Sequence, residues 1–194
     1  VAVSFELLVH CSTLTRIQYG QYRDLAQLQA GVLDLAAIDE GIEAGVDKRL
    51  ELAEMFLTCA NRLCPPAGTA MDEISARNAV SRAYYAIHHA VRALLLYEEH
   101  GDVDGHQETI KAVTGLIIRV PAARAKIGGA KEFGDKLQEV LHQRHLADYY
   151  LYGTAVPREV PLDFPTAATE LLSFAAETLG KVRQYIAEKR AGIL

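Results

Sequence analysis

Residues 75–98 read SARNAVSRAYYAIHHAVRALLLYE. Within them Val80, Tyr84, Ile87, Val91, Leu94 and Leu95 recur at intervals of three and four, and neither Gly nor Pro interrupts the run. The spacing predicts one long helix with an apolar stripe. Just upstream, residues 46–63 place Leu50, Ala53, Phe56, Leu57, Ala60 and Leu63 on the same period, and Pro65 and Pro66 end that segment.

Downstream, the stretch from Gly101 to Gly105 reads as a turn. Asp104 followed by Gln107 has the form of a capping box for a third helix reaching about Arg119, stopped by Pro121. Gly128 and Gly129 mark the next connection. A fourth helix over about 132–151 turns Phe133, Leu137, Val140 and Leu141 inward. Residues 153–165, with Gly153, Pro157, Pro161 and Pro165, read as a loop. A last helix over about 165–189 carries Leu171, Leu172, Ala175, Leu179, Val182, Tyr185 and Ile186.

No strand-like alternation competes with these five segments, so the fold expected is all-α, an antiparallel up-and-down bundle. Residues 1–45 are set apart as an N-terminal accessory segment, with the bundle over 46–194. Leu25, Leu28, Val32 and Leu35 have helical spacing within residues 22–38, and Gly41 and Gly45 separate them from the first bundle helix. The first twenty residues fit a short strand or an irregular arm.

The chain has 194 residues, half of them hydrophobic, which suffices for one buried core. Twenty Lys and Arg stand against 25 Asp and Glu, a net charge of −5, so no global positive field draws in a polyanion and any nucleic-acid contact must be local. Cys11, Cys59 and Cys64 leave an odd thiol and lack paired zinc spacing, which fits a reduced cytoplasm. Cys59 and Cys64 are expected as small buried or half-buried thiols. The start is broken by Glu6 and His10 and has no basic leader region, so a soluble protein is expected. No metal site or cofactor is expected. His142 and His145 are read as solvated, and Gly128-Gly129 lacks the context of a phosphate-binding loop.

Two helices carry charge in informative places. Projection of the second puts Asn78, Arg82, Tyr85, His89 and Arg92 in a stripe about 80° wide, opposite Val80, Ile87, Val91 and Leu94. Arginine forks suit phosphate oxygens, an imidazole moves protons near neutral pH and a tyrosine ring stacks; the same stripe also serves as a plain solvated face. On the fourth helix Arg144 and Asp148 fall within about 40° of the apolar line of Phe133, Leu137 and Leu141. Charges four apart on one helix pair, so they form either a structural ion pair or a polar pocket, lined in both cases by Tyr149 and Tyr150. His106, at the start of the third helix, is placed for phosphate contact or for capping.

Three blocks, SRAYYAIHHAVRALL at 81–95, GHQE at 105–108 and RHLADY at 144–149, resemble the HEPN-domain family, in its small bacterial and archaeal branch, over about residues 46–190. The resemblance implies an up-and-down bundle, a homodimer, and a toxin-like partner of a minimal nucleotidyltransferase that associates with RNA or nucleotide. Many such proteins are metal-independent ribonucleases with an R-x4-6-H motif. Arg144 matches the motif arginine, with Asp148 and Tyr149 standing where the histidine belongs. Arg82 with His88 or His89 matches the loose spacing elsewhere, and projection favours His89. The function expected is therefore a binding protein of this type, with ligand near Arg82, His89 and Arg144. The alternative is a ribonuclease in which Arg144 or Arg82 orients phosphate and His89 moves the proton. Asn78, Tyr85, Arg92, His106, Asp148 and Tyr149 complete the candidate ligand set.

Overall fold

The computed structural model describes residues 35–65, 69–149 and 162–194. Six helices run in order: α1 (Leu35–Leu63), α2 (Glu73–Glu99), α3 (His106–Arg119), α4 (Pro121–Ile127), α5 (Ala130–Tyr149) and α6 (Phe164–Arg190). No strand occurs among the described residues, and the architecture is the all-α bundle expected. None of these helices is long and apolar enough to cross a membrane. Cys11, the first twenty residues and the Gly- and Pro-rich stretch from Gly153 to Pro161 lie outside the described residues.

The stretch quoted at the outset is the axis of the molecule. α2 contacts α1, α3, α5 and α6, and side chains all around it are buried. Ala76, Ala79, Ala83, Ala86, Ala90 and Ala93 alternate steps of three and four and are fully buried, which lets neighbouring helices come close. Ile87, Leu94, Leu95 and Leu96 fill the remaining sectors without exposure, each worth about 1.5–3 kcal/mol of burial. Leucine at an alanine position has no room. Ala86→Leu is expected to cost about 1–3 kcal/mol, read as a lower urea midpoint with helicity retained.

Local chemistry sets the ends of α2. The Asp72 carboxylate accepts from the Ser75 N–H at 3.0 Å and from the Ser75 hydroxyl at 2.6 Å, capping the first turn. At the other end His100 is left-handed, with φ 52°, and its N–H returns to the Leu96 carbonyl. Arg77 ties α2 to two further helices: its Nη1 donates to the carbonyls of Leu146 and Ala147 at the end of α5, and its guanidinium lies 4.3 Å from the centre of the Phe164 ring of α6.

Three expectations about the helices are corrected, and one about a thiol. Gly41 and Gly45 do not separate segments. α1 runs through both, because Ile42 and Val46 continue the buried stripe of Leu50 and Ala53 and outweigh the modest helical cost of glycine. The capping box at Asp104 does not form. Gly105 is the N-cap of α3 with no side-chain bond, and Asp104 turns back to Arg92 Nη1 at 3.0 Å. Pro121 does more than stop α3. Having no N–H, it ends one helix and occupies the first turn of the next, so α4 follows with only Ala123 and Ile127 buried, and ends at Gly128 in a conformation, φ 122°, that suits glycine. Of the thiols, Cys64 is half-buried as expected and Cys59 is exposed.

Candidate functional site

The polar side of α2 meets α1, the 100–105 connection, α3 and α5, and three linked groups of side chains gather there. The first is ionic. Asp102, its side chain 4% exposed, accepts from Arg92 Nε at 2.8 Å and Nη2 at 2.5 Å, from the Val103 N–H at 2.9 Å, and from Arg49 Nη2 of α1. A buried carboxylate so surrounded is a clasp between α1, α2 and the connection. Burial pushes the Arg49 guanidinium below its usual range, against the attraction of Asp102.

The second group is imidazole and aromatic. His88 is buried against Tyr84, and its ring centre lies 4.7 Å from that of His106 at the start of α3. The Tyr84 hydroxyl lies 2.7 Å from His106 Nδ1. His89 stacks on Phe56 of α1 at 5.4 Å with nearly parallel rings, and its Nδ1 accepts from Arg49 Nη1 at 3.4 Å. Desolvation comes first among the causes that keep all three imidazoles neutral. It takes His88 down to about 2 and His89 to about 4, reinforced by His106 and Arg92 on the former and by Arg49 and Arg92 on the latter. His106 is lowered by burial, Arg144 and His145. Burial holds the Tyr84 phenol well above its usual range.

The third group sits at the end of α5. Arg144 is buried, donates from Nη2 to the Tyr85 hydroxyl at 2.7 Å, and lies 5.3 Å from the ring centres of both Tyr85 and Tyr149. Its Nε is 2.7 Å from Asp148 Oδ2, although the N–H is not aimed along that line. Desolvation opposes its charge, but Asp148, Tyr85 and Tyr149 together raise it above the ordinary arginine value. Arg144 therefore does face inward, and Asp148, with a quarter of its side chain exposed, closes the rim.

The sequence-derived residues separate on this frame. Tyr85, His89, Arg92, His106, Arg144 and Asp148 come together through shared neighbours: Phe56 stacks on both Tyr85 and His89, and Tyr85 holds Arg144. Arg92 is buried in the clasp, and its Nε and Nη2 are on Asp102, so it is not part of an exposed stripe. Asn78 is exposed and donates to the Ile74 carbonyl of its own helix. Arg82 is exposed, 5.9 Å from the Phe56 ring centre, and has no carboxylate partner among the described residues. Tyr149 is 67% exposed. Tyr150 lies outside the described residues.

Sequence reading missed five participants, Tyr84 among them because it lies on the apolar stripe. His88 was set aside by projection, yet α2 is buried nearly all round, so a position aside from one stripe faces another helix. Arg49, Phe56 and Asp102 belong to other elements, and nothing local marks them. Beneath Tyr84 and His88 lies a cavity of about 10 Å³, bounded by Ile87, Val91, Thr109, Ile110 and Leu137, room for no more than one water. Among the described residues no group of three or more His, Cys, Asp or Glu side chains is arranged to hold a metal ion.

In comparison with known proteins, the chain matches no family model and no curated sequence. The labels HEPN domain, toxin–antitoxin, RNA binding, nucleotide binding and ribonuclease-like, expected from the three sequence blocks, are corrected on that finding, and the description that stands is a helical bundle.

Proposed function

We propose that the chain is a binding protein that takes an oxyanion of the phosphate class at the polar junction of α2, α3 and α5. The observation that carries this reading is Arg144, a buried guanidinium set between the rings of Tyr85 and Tyr149, with Asp148 beside its Nε on the same stripe of α5. A guanidinium has more N–H donors than these contacts use, and its planar fork matches phosphate oxygens. Arg82 supports the reading as an exposed cation 5.9 Å from the centre of the Phe56 ring, which in turn stacks on Tyr85 and His89. Neutral imidazoles at His89 and His106 supply hydrogen bonds without added charge.

Binding is favoured over acid–base chemistry by His89. Its Nδ1 is engaged by Arg49 and its basicity is weakened by burial, which leaves it poorly placed to take a proton from a substrate. The homodimer and the minimal nucleotidyltransferase partner belong to the proposal on the sequence blocks alone, and are checked by molar mass in solution and by copurification. The half-buried Cys64 and the exposed Cys59, both free thiols, support a reducing setting, the cytoplasm.

Titration with inorganic phosphate, followed by calorimetry, tests the reading. Saturable binding is expected. Arg144→Ala should weaken it about ten- to a hundredfold, the worth of a charged hydrogen bond. Arg144→Lys should fall between, because it keeps the charge and loses the fork. Circular dichroism separates loss of binding from loss of fold. Absence of binding by the folded wild type overturns the proposal, and so does cleavage of a short RNA in chelator that Arg144→Ala abolishes, which would establish catalysis instead.

A further inference from the structure

We infer that anion binding at this junction takes up a proton from solvent, and that His106 is the group that receives it. The inference rests on the binding reading above and adds its regulation. Around His106 stand Tyr84, Tyr85, His88 and Arg92 from α2, Arg144 and His145 from α5, and Asp104 from the preceding connection. Burial comes first, and Arg144, His145 and Arg92 together outweigh Asp104, with Asp148 on Arg144 and Asp102 on Arg92 one contact further out, so a further positive charge on His106 is disfavoured while no anion is bound. An anion entering beside Arg144 reverses that field. By linkage, whatever makes the anion favour a charged imidazole makes the protonated protein favour the anion.

Geometry selects His106 among the three imidazoles. His89 accepts at Nδ1 from the Arg49 guanidinium, and a proton there would destroy that bond and place two donors face to face. His88 is buried between Tyr84 and His106, above an almost wholly apolar void. His106 is half-buried, and its Nδ1 faces a hydroxyl that can either donate or accept. A proton from solvent on Nδ1 turns Tyr84 Oη from donor to acceptor without breaking the 2.7 Å contact. No covalent bond changes.

The probe is inorganic sulfate, which does not titrate near neutral pH. Its Kd for the full chain is measured between pH 6 and pH 8, with calorimetry in two buffers of different ionisation enthalpy to count protons. The dissociation constant is expected to fall as pH falls, about three- to tenfold per pH unit within the window, the upper value being one proton per anion. His106→Gln should flatten the slope, and His142→Gln, exposed on the outer side of α5, should retain it. Helicity of each variant is checked at both ends of the range. Sulfate binding with no pH slope and no proton uptake overturns this inference and leaves the binding reading standing. A full slope in His106→Gln overturns the assignment to His106. No sulfate binding by the folded wild type at any pH overturns both.

Discussion

Asp102→Ala is expected to destabilise the protein by about 3–5 kcal/mol, the usual cost of removing one partner from a buried ion pair. The carboxylate meets two guanidinium groups that are themselves largely buried, Arg92 and Arg49, and accepts a backbone N–H as well. Its loss leaves both cations facing each other with their solvation already surrendered. Set against a total stability of about 5–15 kcal/mol, that is a large fraction. Urea unfolding gives the number. Replacing Arg92 and Asp102 together, as Arg92→Met with Asp102→Leu, should cost less than Asp102→Ala alone, because no uncompensated charge from that pair remains inside. A loss below about 1 kcal/mol for Asp102→Ala would mean the group behaves as an exposed pair, and the clasp would be dismissed.

Acid should undo the same region by a different route. His89 falls from 6.5 in the unfolded chain to about 4 in the fold, and His88 falls further. A base whose folded value is depressed contributes stability that is complete above the unfolded value and is lost as pH falls from there toward the folded value. The window runs from about pH 6.5 down to about pH 4. His89 alone contributes about 2–3 kcal/mol across it after partial solvent screening. Unfolding midpoints in urea should therefore decline steeply on acidification, with a shallower decline in His89→Gln. A midpoint that stays level between pH 7 and pH 5 would mean that the imidazoles are solvated.

Legibility in the sequence followed how local the cause was. The bounds of α2 came within two residues, since a long run without Gly or Pro leaves little else for the backbone to do. The inward set of Arg144 was equally readable, because α5 has one buried stripe and the period fixes who lies on it. The early start of α1 is hidden in the sequence because Gly41 and Gly45 read as punctuation, although the helical cost of glycine is small beside the burial of Ile42 and Val46. α4 was too short to display a period. Around the junction, Asp102 and Arg49 are 53 residues apart and meet only through tertiary packing. His88 was misjudged for a related reason: a helix surrounded on several sides has no single inside, and the projection assumed one.

The contacts of Arg77 have a last consequence. By donating to the Leu146 and Ala147 carbonyls in the last turn of α5 while resting on Phe164, one side chain of α2 braces α5 against the start of α6. Arg144, two residues before Leu146, is thereby steadied through the backbone of its own helix.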